Sequence, residues 1–487
     1  MAFKWASIPL FILLWSTSAS CATSDFENTA IVRSAELGGS VVHVTTTYSV
    51  RALVDNSKTY TVVLGAYERS KTSWIEAKIK GQDKALPTTE RAESDYTLID
   101  VSLPTALSTN KTLNLVLETV QTHATVPWPA TAAQTEEQKL KYGTDLFVLS
   151  PYKTLIQRTK LRSIAPRIVA HTEPQGVDKF AGDALVTKSG STIVYGPYSN
   201  IPPSANQNFV EEYQQRVEIQ YYLEQPVLEV TEYKRAVEVS HWGANVNTQD
   251  EITLHNAGPK LKGHFSRLEH QVQSYTRKLA PHLLPALQLN LPAGIRNAYY
   301  YDQIGNVSTS KLRVAPLGPK GFPRSQQSVL ELKPRYPLLG GWNYTFTLGW
   351  DAPLEGSVSY NKKTGAYTLA VPILTPVPGS VVNNEELTII LPEGATDVDF
   401  ATPFAPVSAT LGTHVTYLDT VGRPSITLRY ENLTLKHAQE VYVTYKVPFT
   451  AHLRKAVSVA FAFFSLFAVA IIARRIDLSI GPKQKVQ

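Results

Sequence analysis

The 487-residue sequence contains one cysteine, Cys21, and one methionine, the initiator. Cys21 sits at the end of an N-terminal apolar stretch that reads as a removable leader, so the mature chain is expected to carry no thiol. That excludes disulfides, thiol nucleophiles and thiolate-bound metals. A chain on the secretory route without disulfides has to rely on core size. An excess of one charge is also missing. The formal charge is +6, yet with Lys4, Arg474, Arg475, Lys483, Lys485 and Asp477 set aside, 42 of the 47 basic and 40 of the 41 acidic residues remain. Nucleic-acid binding needs a basic field to displace phosphate counterions, and the large middle region has none, so no nucleic-acid partner is expected. Charged residues make up only 18% of the chain and hydrophobic residues 43%, which excludes a largely disordered polypeptide.

What is present is aromatic: 24 Tyr, 16 Phe and 7 Trp, a composition that favours strands. Alternation confirms the leaning. Val42, Val44, Thr46, Tyr48 and Val50 recur with a period of two, as do the residues of Trp74 to Lys80 and of Leu113 to Glu118. Such a pattern suits antiparallel sheets with one buried face. A short helix is expected over Gln134 to Tyr142. Gln225-Pro226 reads as a joint, after which strands resume at Val227 to Val230 and Ala236 to Val239. The longest non-strand stretch is Leu261 to Leu287, where Phe265, Leu268 and Val272 have near-helical spacing until Pro281 and Pro285 end it. Alternation returns from Tyr344 to Val447, as in Glu440 to Tyr445.

Both ends are apolar. Residues 1–22 resemble a signal peptide, with Lys4, an apolar stretch and Ser20-Cys21-Ala22 as a cleavage site, so that Ala22 and Thr23 flank the cut. Acylation of Cys21 is the rival reading, disfavoured by Ser18 where a branched apolar residue is wanted. Ala456 to Ala473 is uncharged and lies between Arg454-Lys455 and Arg474-Arg475. A helix of that length spans about 27 Å, close to a bilayer's hydrocarbon thickness. The expected fold is therefore mainly β: two β-sandwich-like lumenal domains in series plus one C-terminal transmembrane helix. The segments are a leader at 1–22, domains at 23–225 and 226–453, the helix with its basic flanks at 454–475, and a short cytosolic tail at 476–487.

Chemistry is hard to place in this sequence. No nucleotide loop, zinc-protease helix or serine-hydrolase elbow occurs. Asp397 and Asp399, two apart on a strand, could present both carboxylates on one face to a metal and sugar diphosphate; a solvated pair is the plainer reading. His241-Trp242-Gly243 and the pair His171 and Glu173 lack a third partner. Four sequons stand at Asn110, Asn306, Asn343 and Asn432, with Asn343, between Trp342 and Tyr344, expected to be the least accessible. In the apolar helix, Phe461, Phe463, Phe464 and Phe467 suit lipid, and Ala456 and Ala460 give a weak small-residue pair.

Longer strings resemble the ribophorin I family. They are Glu238-Val239-Ser240-His241-Trp242-Gly243, Leu261 to Arg267, Asp302 to Ser310, Pro334 to Trp342, Ile390-Leu391-Pro392-Glu393-Gly394-Ala395, Thr416 to Pro424 and, after the span, Arg475 to Ile480. The resemblance implies a single-span, non-catalytic subunit of the endoplasmic reticulum oligosaccharyltransferase, with the large domain lumenal. That complex moves an oligosaccharide from dolichyl diphosphate to Asn in N-x-Ser/Thr acceptors. It further implies no catalytic residue, cofactor or metal of this chain's own. Implied partners are a catalytic multi-span subunit, a small two-span subunit, other subunits of the complex and nascent acceptor polypeptides. Longer family members carry a cytosolic domain after the span; with the short tail here, ribosome contact through such a domain is not expected. Topology alone would equally fit a cell-surface receptor or adhesion protein, and the Asp397/Asp399 pair a lumenal glycosyltransferase.

Overall fold

A computed structural model describes residues 25–93, 96–182, 185–276, 280, 282–317, 326–417 and 419–476. The leader with Ala22 and Thr23, and the tail beyond Ile476, lie outside the described residues.

The alternation seen in the sequence becomes sheet. Val41–Ala52 buries Val42, Val44, Thr46, Tyr48 and Val50 on one face. This strand lies inside a seven-stranded sheet that runs Val186–Ser189, Thr192–Ile201, Thr154–Ser163, Phe26–Leu37, Val41–Ala52, Thr112–Thr122 and Thr72–Ile79. Two smaller sheets close its buried face. One, with Lys139–Asp145 and Arg216–Tyr222, packs through Leu140, Tyr142, Val217 and Ile219. The other, with Ser57–Gly65 and Tyr96–Leu107, packs through Tyr60, Val62, Ile99 and Val101.

The second half repeats the two-layer plan. Its eight-stranded sheet runs Gly305–Asn306, Arg296–Asp302, Asn343–Pro353, Asn245–Asn256, Leu228–Ser240, Val381–Ile390, Arg423–Leu433 and Ser408–His414. Leu228–Ser240 and Val381–Ile390 pair in parallel; the other neighbours are antiparallel. A four-stranded sheet of Val358–Asn361, Ala366–Pro372, Glu440–Lys446 and Thr396–Ala401 covers part of its inner face. Val441, Val443 and Tyr445 point inward between solvent-facing or half-buried residues, and they join Ile389, Ile426 and Leu428 in one core. Each fully buried side chain of that size contributes on the order of 1.5–3 kcal/mol by leaving water.

Pairing across position 225 is confined, among the described residues, to Thr131–Ala132 with Lys260–Leu261. Side chains add to it. Gln134 donates to the Ser266 carbonyl at 3.0 Å and accepts from the Ser266 N–H at 2.8 Å. Lys436 reaches Glu118 at 3.1 Å, and the His437 ring stands edge-on to Trp74 with centroids 4.9 Å apart.

Two expectations need correction. Gln134 to Tyr142 is not a helix: a turn at Ala133 to Glu136 leads into the strand Lys139–Asp145. The acidic, glutamine-rich composition favoured a helix, but Leu140 and Tyr142 alternate with Lys139 and Lys141 and enter the core, and tertiary burial overrides propensity. Asn343 is exposed, because strand alternation sends Tyr344 inward and Asn343 outward. The helical spacing after Leu261 does form a helix, Arg267–Thr276, though its Leu268, Val272 and Tyr275 face solvent.

Candidate functional site

The C-terminal helix spans Phe449–Arg475, starting directly after Pro448, whose fixed φ suits the position before a helix. Its 27 residues give about 40 Å of length. The uncharged stretch 456–473 is wholly free of protein cover, as a lipid-facing span requires. The first turns, 449–455, are where the helix meets the β body.

Three distant segments converge on those turns. The turn Pro392-Glu393-Gly394 lies against Ala451, which is buried. Gly394 has φ +77°, and a Cβ built there would stand 2.8 Å from the Ala451 Cβ, so both backbone and space call for glycine. Lys455 donates to Asp419 Oδ1 at 2.9 Å and stands 3.9 Å from Glu393. Asp419, with no exposed side-chain surface, also accepts from the Thr416 backbone N–H at 2.8 Å, the Thr416 hydroxyl at 2.6 Å and Arg423 Nε at 3.1 Å. Arg423 continues to Glu238. Glu393 accepts from the backbone N–H groups of Thr420 and Val421 at 2.7 and 3.0 Å, and from the Thr420 hydroxyl at 2.8 Å.

The electrostatics follow from these bonds. Burial alone would raise the Asp419 carboxyl, but donors from Thr416 and Lys455 and the Arg423 charge overcome it and hold the group well below the usual carboxylate range. Glu393 is lowered in the same way, its burial offset by the donors of Val421 and Thr420. His241 Nε2 lies 2.8 Å from the Tyr445 hydroxyl, with its ring edge-on to Tyr367 at 4.6 Å and 5.8 Å from the His452 ring. Burial, reinforced by His452, lowers its pKa and keeps it neutral at pH 7. A cavity of about 90 Å³ remains between His241, Trp242, Arg423 and the helix residues Ala451, His452 and Lys455. Asp419 is engaged with Arg423 and Lys455, and Arg423 with Glu238, while Glu393 Oε2 has no hydrogen-bond partner. The arrangement ties the first turns of the helix to the sheet.

The other singled-out residues stay apart. Asp397, at φ +52°, pairs with Lys446 at 2.9 Å, and Asp399 accepts its own neighbour's N–H from Phe400 at 2.9 Å. A register shift between Thr396 and Asp399 breaks the regular strand that would have aligned them, and both are exposed. His171 ends the strand Ile168–His171 and gathers no partners with Glu173 into a metal cluster; among the described residues no group of three His, Asp or Glu could hold a metal. Asn110, Asn306, Asn343 and Asn432 are all exposed, Asn110 and Asn432 with φ of 64° and 54°. Of the basic flank, Lys455 turns out to be a structural contact. Glu393, Gly394, Asp419, Arg423 and Ala451 were not singled out as site residues from sequence. The available signal was the family-like strings at Glu238 to Gly243, Ile390 to Ala395 and Thr416 to Pro424, all three of which meet here.

Comparison with known proteins bears on the family resemblance. The family model described as Ribophorin I matches residues 26–474. "Dolichyl-diphosphooligosaccharide--protein glycosyltransferase subunit 1" of Caenorhabditis elegans is 30% identical over 457 residues, 92% of this chain and 72% of that protein. Subunit 1B of the same designation from Oryza sativa subsp. japonica is 30% identical over 421 residues, 85% of this chain and 80% of that one. Subunit 1B of Arabidopsis thaliana is 31% identical over 394 residues, 80% and 78% of the two chains. Among solved structures, native leukotriene A4 hydrolase from Saccharomyces cerevisiae covers 41% of this chain and 29% of its own at 11% identity and a TM-score of 0.24, which carries no argument.

Proposed function

Because this chain belongs to the ribophorin I family, we propose that it acts as a non-catalytic, structural subunit of the endoplasmic reticulum oligosaccharyltransferase. In this role it supports transfer of oligosaccharide from dolichyl diphosphate to Asn in N-x-Ser/Thr acceptors. Its partners are the catalytic multi-span subunit, a small two-span subunit and other subunits of the complex, with nascent acceptor polypeptides a further contact. The chain is anchored as a single-pass protein of the endoplasmic reticulum membrane with its β body in the lumen, which divides into two domains near Gln225-Pro226.

The observation that carries this reading is the lock at the helix base. A buried Asp419, bonded to both Arg423 and Lys455, ties the first turns of the apolar helix to the β body. A rigid mount of that kind serves a protein that positions other chains. A single span, by contrast, cannot enclose a lipid-linked diphosphate, whose charge needs donors from several segments. Purification in mild detergent through a tag on this chain tests the reading. A multi-span glycosyltransferase recovered in a one-to-one ratio, with transfer activity in the assembly and none in the separated chain, is the expected result. Transfer by the separated chain alone would contradict it.

A further inference from the structure

The strand Ser408–His414 is the last in the eight-stranded sheet, and every one of its seven residues is exposed. Its pattern is nonetheless that of a half-buried strand. Val407, Ala409, Leu411 and Val415 alternate with Ser408, Thr410 and His414. Register shows which way the apolar stripe points. Ala409 pairs with Leu428 and Leu411 with Ile426, and directly paired residues of antiparallel strands share a face. Leu428 and Ile426 are 0% exposed, whereas Leu411 is 67% exposed and Val407 and Val415 are 66% and 68%. One strand over, therefore, the core-facing side of the sheet is bare. The covering sheet ends at Thr396–Ala401, where Phe400 is half-buried, and does not reach the stripe.

We infer that this stripe and its free strand edge are the docking surface for an extended, one-side-apolar segment of another chain of the same membrane assembly. The inference rests on the subunit reading above and names the surface through which it works. Two observations fix the occupant's chemistry. Among the described residues the strand is bonded on one side only, so its outer edge offers backbone N–H and C=O groups that a lipid tail cannot satisfy and a polypeptide strand can. The stripe also has a defined place. His414 pairs with Arg423, which joins Asp419 and through it Lys455 at the helix base, while Val407 borders the cavity shared with Trp74 of the first half. The eight steps from Val407 to Val415, at about 3.3 Å each, cover about 26 Å, far more than contact with a bilayer surface at one end would use. The segment that covers it comes from a chain standing beside this helix.

The test uses the full chain within its native assembly. Leu411→Asp is expected to leave the thermal midpoint of the purified chain unchanged, since the residue is exposed, yet to lower recovery of one specific co-purifying subunit at least five-fold. Thr410→Asp, on the opposite face of the same strand, is expected to leave that recovery intact. Leu411→Cys carrying a photoreactive maleimide should give an adduct with the subunit that Leu411→Asp loses. Equal recovery in all three chains overturns the inference, as do adducts with lipid only or with a second copy of this chain only. Those outcomes leave the subunit reading standing; absence of any glycosyltransferase chain from the unmutated assembly sinks that reading instead.

Discussion

Removing the Asp419 carboxylate is the sharpest perturbation of the helix mount. Asp419→Ala leaves the Thr416 N–H without its acceptor, about 1 kcal/mol or more, and strips both Arg423 and Lys455 of a shared anion. Deleting one partner of a fully buried pair costs about 3–5 kcal/mol. Here Lys455 is about one-third exposed and Arg423 keeps Glu238, so water and that carboxylate recover part of the loss. A destabilisation of about 2–3 kcal/mol in total is expected. Because the folded carboxyl titrates below its unfolded value, its stabilisation is complete above the unfolded value of about pH 4 and is lost as pH falls through the folded one. Mutant and parent should therefore differ fully at pH 7 and converge only in strong acid. The mount can be followed directly with spin labels at Lys362→Cys and Leu466→Cys in a chain whose one native cysteine is replaced, Cys21→Ser. The parent should show one narrow distance distribution and Asp419→Ala a broad one, with a lower thermal midpoint. An unchanged distribution and midpoint would refute the reasoning.

Other consequences follow from single residues. Gly394→Ala places a Cβ against Ala451 at a left-handed backbone position and should cost about 1–3 kcal/mol, read as a lower thermal midpoint and faster proteolysis near Val447. Glu385 is buried beside the Arg235–Asp250 pair with neither oxygen bonded, and burial raises its pKa well above the usual range. The native state thus holds a proton that the unfolded chain gives up above about pH 4.3, so Glu385→Gln should raise stability at pH 7 and change it little at pH 4. Asp302, bonded by Arg335 and by the N–H groups of Ile304 and Gly305, has its pKa lowered to about 2. Asp302→Asn should accordingly remove part of the stability lost by the parent between about pH 4 and pH 2, measured by acid titration of near-ultraviolet circular dichroism. Alanine at both Asp397 and Asp399 should leave transfer activity and assembly unchanged in a membrane assay; loss of transfer with assembly intact would revive a catalytic reading.

Strand content was legible because alternation is local: Val42 to Val50 and Glu440 to Tyr445 announce their buried faces in ten residues or fewer. The anchor helix was legible for the same reason, its 18 uncharged residues being contiguous. The strand at Lys139–Asp145 was misread because its signal, Leu140 and Tyr142, is short and follows a helix-favouring acidic run that forms only a turn. The mount was invisible to pattern reading. Glu238, Glu393, Asp419, Arg423 and Lys455 share no spacing, and only parallel pairing of Leu228–Ser240 with Val381–Ile390, then antiparallel pairing with Arg423–Leu433, carries them to one corner. Likewise, alternation in Ser408–His414 announces a buried face but cannot say that no part of the described chain covers it.

The proposed role of this polypeptide is to hold an assembly together and to leave the reaction to another chain. Its most direct test is to deplete the protein from cells and quantify, by mass spectrometry, sequon occupancy on secreted glycoproteins together with the abundance of the catalytic subunit. Both should fall together, and both should return when a chain carrying alanine at Asp397 and Asp399 is supplied. Full occupancy with an intact complex in depleted cells would contradict it.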